Sequence, residues 1–495
     1  MLCLSGRSHG VPGRAQRLEN GLKILFLVHD LLTVPLGIAY LSSIVRARGH
    51  SVETAVLTER DLRRTAEAFG PDVIAFGSTT GFHKAYLRVI RSLRESTGAV
   101  TVMGGAHPTF FPGILEEEPS LDYVIRGEAE EAFPALLDAV AGLRDLSTVG
   151  NLRYRGDGGI VETTMLPLID DLDSVPFPDR GMLSRYGDRV NTRTAFVITG
   201  RGCPFDCSYC FNHAYRDLYA GLGRAYRRRS VDNVLGEIED LRNQYRKLQM
   251  VIFQDDIFII DEDWVIDFCE RYRGRIGLPF HCHLRANLVT PRIARALADA
   301  GCISIKMAIE AADDRLRNEV LHRGMSRETI VSACDAVRGA GIVLVTQNIL
   351  GIPTSTLEQD LETLALNIRC RPDFAFATLM QPYPGTRINE FCRERGLLDE
   401  SVSESLPDSF FDGSIIRISD PVGRNRLRKL FALSVEFPLV RRLLPRLLRL
   451  RLDPLYDLAD KIWKGYCIKQ REFPYRLSLR EYAAGVASFF RSRYY

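Results

Sequence analysis

Residues 194–210 read TAFVITGRGCPFDCSYC. The opening TAFVIT is short, apolar and β-branched, which predicts a strand. The loop that follows carries Cys203, Cys207 and Cys210 in C-x-x-x-C-x-x-C spacing. The chain has eleven cysteines, an odd number, and no export signal precedes them, so a disulfide framework is not expected. Cys3, Cys269, Cys282, Cys302, Cys334, Cys370, Cys392 and Cys467 stand singly and read as small buried apolar residues. Only the group behind the 194–199 strand is clustered.

Five more strand–helix units follow this one. Strands are expected at 249–254, 279–284, 302–309, 342–350 and 374–380, separated by helical periodicity at 230–244, 263–272, 291–300, 326–339 and 356–368. Six βα units in succession predict a (β/α)6 partial TIM barrel over 193–398, with its site at the carboxyl ends of the strands. The cysteine loop then lies at the barrel mouth. Alternation along two strands supports this: His281, His283 and Arg285 share one face, as do Ser304, Lys306 and Glu310, while apolar residues take the other. In a barrel wrapped by helices, the polar faces belong in the lumen. His281 and His283 are read there as hydrogen-bonding groups, with a metal pair as the alternative.

Working towards the amino terminus, a separate alternating series occupies 21–141. Strands at 23–29, 51–57, 72–77 and 99–103, with a weaker one at 122–126, alternate with helices at 36–48, 59–69 and 83–95. This predicts a doubly wound, Rossmann- or flavodoxin-like parallel sheet, whose ligands bind at the carboxyl ends of its strands. Those ends are Gly77–Gly81, Gly104–Pro108 and Gly127–Glu128, all small or glycine-rich. Residues 142–192 read as a linker with one hairpin, and 1–20 as a disordered leader. Residues 399–495 are expected to be mainly helical. Within them 424–451 is rich in Arg and Leu, interrupted by Pro438 and Pro445, and reads as a helical cap with its arginines in water, or else as an interfacial helix.

The chain is 495 residues long with a net charge of +3, so no global field argues for nucleic acid as a partner. No run approaches the roughly 18 consecutive apolar residues of a membrane span, and a cytoplasmic location is expected.

Three thiolates can fix three irons of a four-iron cluster and leave the fourth open to a small molecule. The rival is structural zinc, with His213 completing a Cys3His tetrahedron in a non-catalytic loop. Zinc ribbons usually stand apart as small modules, whereas this loop opens a large alternating domain.

The triplet, with Tyr209 before its third cysteine, resembles the signature of the radical S-adenosylmethionine (SAM) superfamily. Phe253-Gln-Asp-Asp256 resembles the cobalamin-dependent branch, where many other members have Gly-Gly-Glu. Met307-Ala-Ile-Glu-Ala311 resembles that branch's Gly-Ile-Glu-Ser, with Ala308 and Ala311 as departures. Leu350-Gly-Ile-Pro353 and Pro382-Tyr-Pro-Gly-Thr386 resemble the turns after the fifth and sixth strands. Met103–Thr109 and Tyr123–Glu128 resemble the cobalamin-binding domain fused ahead of many such barrels, although the Asp-x-His-x-x-Gly motif that supplies a lower cobalt ligand elsewhere is missing.

The resemblance implies a [4Fe-4S] cluster on Cys203, Cys207 and Cys210. It implies SAM held by Tyr209, Gln254, Asp255, Asp256, Arg285, Glu310, Gly351 and Pro353. Asp255 and Asp256 have helix capping as an alternative role. Cobalamin would be cradled by Ser78, Thr79, Thr80, Gly104, Gly105, His107, Gly127 and Glu128. His107 is read as a preorganised loop imidazole, with cobalt ligation as the alternative. In this family one electron from an external flavodoxin- or ferredoxin-type donor cleaves SAM, and the resulting radical removes hydrogen from an unactivated position. The activity implied is methyl transfer to a carbon of a small molecule or peptide. Oxidative cyclisation or rearrangement with the same cofactors is the alternative.

Overall fold

The computed structural model describes residues 21–478 apart from 32–33, 60 and 399–412, together with 481–482 and 485. The expected leader lies outside the described residues. The chain forms two compact units, Met1–Pro167 with Val175–Val190, and Leu168–Ser174 with Asn191–Tyr495.

In the first unit, β1 (Lys23–Val28), β2 (Ser51–Val56), β3 (Val73–Gly77), β4 (Val100–Gly104) and β5 (Tyr123–Ile125) are parallel, in the order β2-β1-β3-β4-β5. Strand β1 is continuous apolar sequence because both of its faces are covered. Ile24, Phe26 and Val28 pack with Phe133, Leu136 and Leu137 on one side. Leu25 and Leu27 pack with Phe76, Tyr86 and Ile90 on the other. The order reverses between β1 and β3, the switch point beside which such sheets bind ligands.

The stretch 142–192 is more than a linker. Its β6 (Leu152–Gly156) and β7 (Gly159–Glu162) form an antiparallel hairpin that extends the sheet beyond β5. Only Leu152 of β6 is buried, so the segment carried little apolar periodicity to reveal the pairing.

The second unit contains six parallel strands in sequence order. They are β8 (Thr194–Val197), β11 (Met250–Phe253), β12 (Phe280–Leu284), β13 (Cys302–Glu310), β14 (Val343–Leu350) and β15 (Phe374–Leu379). A short antiparallel pair, β9 (Gly200–Arg201) and β10 (Arg227–Arg228), flanks the cysteine loop. The expected alternation holds: Cys282, Leu284, Ile305, Met307 and Ile309 pack with the helix residues Phe268, Leu297 and Val337. The polar faces are left for the lumen. Ser230, Asp261, Thr290, Ser326 and Thr356 cap the five following helices through their side chains.

The C-terminal region is helical, as Pro421–Glu436, Pro438–Leu447 and Asp453–Cys467. The arginines of the first of these are not in water, against the sequence reading. Arg424 is fully buried and donates to Ser355 Oγ at 2.7 Å. Arg426 pairs with Asp453 at 2.8 Å, Lys429 with Asp457 at 2.8 Å and Arg428 with Asp460 at 3.7 Å. Leu427, Leu430 and Phe431 meanwhile pack against Leu350 and Leu379. The helix is amphipathic against two partners, so its cations face the carboxylates of a neighbouring helix. Pro438 starts a helix, where its missing N–H costs nothing, and Pro445 lies inside that helix. In the π-helical turn Ile468–Glu472 that continues the last helix, Glu472 enters the lumen: its carbonyl accepts from Ser304 Oγ at 2.6 Å and its carboxylate pairs with Lys306 at 2.7 Å. No helix among the described residues is long and apolar enough to cross a membrane.

Candidate functional site

The cysteine loop is anchored before it begins. Thr199 donates to Asp255 from its backbone N at 3.1 Å and from Oγ1 at 2.7 Å. Burial raises the Asp255 carboxyl, opposed by Arg228 and by these Thr199 bonds. Asp255 therefore ties the end of β11 to the turn after β8, rather than offering a free carboxylate or capping a helix. Gly202 has φ +81°, and a Cβ there would lie 2.1 Å from Ala225 O, so only glycine lets the two segments pass.

Cys203 and Cys207 are buried and Cys210 half-buried. Burial raises the thiol of Cys203 and pushes that of Cys210 up to about 11. A bound cluster would supply the positive charge that favours their thiolate form. Two guanidiniums converge on one sulfur. Arg285 Nη1 lies 3.3 Å, and Arg323 Nη1 3.7 Å, from Cys207 Sγ. Arg285 stacks 3.9 Å over the Phe205 ring and donates to the Arg323 carbonyl. Arg323 also donates to Tyr209 Oη at 3.2 Å and to Ala308 O at 2.8 Å. Tyr209 in turn donates to Glu310 Oε1 at 2.7 Å. Burial raises the Glu310 carboxyl, opposed chiefly by Arg323.

Glu310 is a non-glycine residue at φ +65°, where the register between β13 and β14 shifts. Strain of this kind gathers at functional sites. Ser208 fastens the loop from the far side, with Oγ donating to Val320 O at 2.6 Å. That segment is a π-helical turn, Leu316–Val320, pinned by the fully buried Arg317 to the carbonyls of Ala311 and Ala312 at 3.0 and 2.8 Å.

The other expected SAM residues divide. Asp256 is exposed and accepts from Asn212 Nδ2 at 3.1 Å. The same Asn212 nitrogen lies 3.4 Å from Cys210 Sγ. Gln254 is exposed at the end of β11. Gly351 and Pro353 form the buried turn after β14, where Asp360 accepts from Gly351 N at 3.2 Å. Ile352, between them, packs in one cluster with the Tyr209 ring. His213 is given to the backbone: its Nε2 accepts from Arg387 N at 3.3 Å. Among the described residues no group of His, Cys, Asp and Glu is arranged to hold a single metal ion. Arg323, Asn212 and Thr199 were not foreseen. Thr199 and Asn212 flank the loop in sequence without belonging to a motif, and only the fold brings Arg323 to it.

In the first unit, the loops after β3 and β4 interlock. Ser78 N donates to Gly104 O at 3.0 Å and His107 N donates to Ser78 O at 2.8 Å. Gly105 has φ +92°, and a Cβ there would lie 2.8 Å from Ser78 N. His107 is held by Thr80 Oγ1, 3.1 Å from Nδ1, and stacks on His83 at 3.7 Å. Burial, helped by His83, lowers its pKa to about 3. Its Nε2 is buried without a hydrogen-bond partner among the described residues. Thr79 contributes a carbonyl to Ser78 Oγ at 3.0 Å. Gly127 N donates to Thr109 Oγ1 at 2.9 Å, and Glu128 O accepts from Asn151 at 2.8 Å. The eight expected cradle residues thus lie at the ends of three adjacent strands.

Both sites fit the groups they resemble. Two buried cations at Cys207 call for the negative charge of a thiolate-bound cluster. The close backbone approach at Gly105 and the buried, unpartnered Nε2 of His107 fit loops that meet a bound group.

Residues 197–366 match the radical SAM superfamily, and residues 22–137 match the B12 binding domain. An uncharacterised methyltransferase of Pyrococcus horikoshii is 29% identical over 375 residues, 74% of this chain and 79% of that protein. The anaerobic magnesium-protoporphyrin IX monomethyl ester cyclase of Rubrivivax gelatinosus is 30% identical over 368 residues, 71% of this chain and 64% of that protein. Among solved structures, the cobalamin-dependent SAM radical enzyme OxsB, with aqua-cobalamin and SAM bound, has a TM-score of 0.68 at 15% identity, covering 95% of this chain and 75% of that one. The cofactors are a [4Fe-4S] cluster, SAM and cobalamin. With a B12-binding domain and a three-cysteine barrel in one chain, the protein belongs to the cobalamin-binding branch of the radical SAM superfamily.

Proposed function

We propose that this cobalamin-dependent radical SAM enzyme transfers a methyl group to an unactivated carbon of a small molecule or peptide. The observation that carries the reading is the loop of Cys203, Cys207 and Cys210 with Arg285 and Arg323 on one of its sulfurs. The three cysteines would hold the cluster. Tyr209, Asp256, Glu310 and the Gly351–Pro353 turn would border SAM, and the Ser78–Thr80 and Gly104–His107 loops would carry cobalamin. When bound, these groups supply a hydrogen-abstracting radical and a transferable methyl. The chain itself keeps the two arginines against Cys207 and holds the Glu310 carboxylate through Tyr209. It also lines the lumen with His283 and Lys306. The electron comes from an external one-electron donor of flavodoxin or ferredoxin type.

Relatives named as methyltransferases support methyl transfer. A relative named as a cyclase supports a second reading, oxidative cyclisation on the same cofactors. The two separate by product. With cofactor-loaded protein, a reductant and candidate substrates, methyl transfer yields both S-adenosylhomocysteine and 5′-deoxyadenosine, and methyl-labelled SAM labels the product. Cyclisation yields 5′-deoxyadenosine without label. Undiminished 5′-deoxyadenosine from Cys207→Ala would refute the cluster assignment.

A further inference from the structure

Helices Pro438–Leu447 and Asp453–Cys467 each bury one stripe and leave a second apolar stripe in water. Leu444 and Tyr456 pack inward against Leu427, Leu430 and Phe431. Outward, Leu439 is 67% exposed, Leu455 57% and Ile462 54%, and Leu443, Leu458 and Tyr466 are also exposed. Positions 455, 458, 462 and 466 recur at helical spacing and so lie along one face. The connecting turn adds exposed Leu450 and Leu452. Isolated exposed leucines are ordinary, but aligned ones mark a surface that something covers.

The charge on this surface indicates what covers it. Residues 437–452 contain five arginines and no carboxylate. Arg441 is used internally, donating to Val435 O at 2.8 Å. Arg442, Arg446, Arg449 and Arg451 are exposed and make no ion pair among the described residues. In the preceding helix, by contrast, Arg426, Arg428 and Lys429 all have carboxylate partners. Arg449 and Arg451 line an open cleft of about 730 Å³ that also includes Asn425 and the paired Arg426 and Asp453. A second copy is a poor occupant, because an isologous contact would press unpaired arginines against their own kind. These helices are too short and too charged to span a bilayer, yet they have the composition of helices that lie in its interface.

We propose that this face docks on the surface of a bilayer rich in anionic phospholipid. The exposed leucines and Ile462 enter the headgroup boundary, and the four free arginines meet lipid phosphates, which their planar guanidiniums bind in a fork. The proposal concerns the C-terminal helices and stands whether the chemistry is methyl transfer or cyclisation.

The test is co-sedimentation of the full chain with phosphatidylcholine vesicles, with and without phosphatidylglycerol. Protein should pellet with the phosphatidylglycerol vesicles at low salt and be released as salt rises. Two variant sets should each weaken binding about tenfold or more: Arg442→Gln with Arg446→Gln, Arg449→Gln and Arg451→Gln, and Leu439→Ser with Leu458→Ser and Ile462→Ser. Because all these side chains are exposed, circular-dichroism melts should be unchanged. The proposal is overturned if the protein stays in the supernatant with both vesicle types, or if either variant set pellets like the wild type. It is equally overturned if light scattering shows a dimer that the Leu/Ile variants dissociate, or if the face captures only an acidic protein and no vesicle.

Discussion

Arg323 Nη1 lies 3.7 Å from Cys207 Sγ, and the side chain that carries it is buried. A fixed cation at that distance stabilises whichever state of a thiolate-bound cluster is more negative, which is the reduced one. At an effective dielectric of about 20, partly screened, this amounts to about 1–3 kcal/mol, or about 40–130 mV for one electron. Arg323→Met is expected to lower the cluster midpoint by that order, and Arg323→Lys by less. An EPR-monitored potentiometric titration of reconstituted protein checks this, and an unmoved midpoint would show that Arg323 only packs the loop.

His107 bears on stability through pH. Burial lowers its folded pKa to about 3, against an ordinary value near 6.5. The folded state therefore binds fewer protons than the unfolded one. The contribution is complete above pH about 6.5 and lost as pH falls towards 3. Linkage gives a loss of about 2 kcal/mol between pH 7 and 5. Urea unfolding should show that slope in the wild type and a correspondingly flatter one in His107→Gln.

Gly105 should tolerate no side chain. Its φ of +92° and the 2.8 Å approach of a Cβ to Ser78 N both oppose alanine. Gly105→Ala is expected to cost about 2–4 kcal/mol and to reduce the corrinoid absorbance bound per chain. Gly98→Ala is the control, since that helix cap has φ +68° with open space around it, and should cost only about 1 kcal/mol.

Arg424 is fully buried, 3.5 Å from Asp360, and Asp360 accepts from Gly351 N. Burial raises the Asp360 carboxyl to about 6, opposed by Arg424. Asp360→Ala leaves an uncompensated buried cation and should destabilise by about 3–5 kcal/mol. In Asp360→Leu with Arg424→Met, much of the loss should be recovered, which thermal unfolding of the single and double variants measures.

Much of this was legible before folding because it is local. Strand–helix alternation, the polar face of β12 and β13 and the spacing of Cys203, Cys207 and Cys210 are properties of neighbouring residues, since side-chain direction repeats every two or 3.6 residues. The pairing of the β6–β7 hairpin onto β5 through β6 was not legible, because those strands present few buried side chains. The buried arginines of Pro421–Glu436 were also missed, since an arginine reads as exposed until its partner is known, and here the carboxylates lie 27 to 64 positions away.

By itself the sequence determined a three-cysteine barrel preceded by a doubly wound domain, for which periodicity and short-range spacing suffice. That the domain is of cobalamin type was read from the resemblance of its loop motifs, not from periodicity. Only the tertiary structure decided what surrounds the cysteines: Asp255 holds Thr199, Tyr209 holds Glu310, and Arg323 reaches Cys207 across 116 positions of chain. Burial and charge pairing depend on which distant segments meet, and no local pattern carries that information.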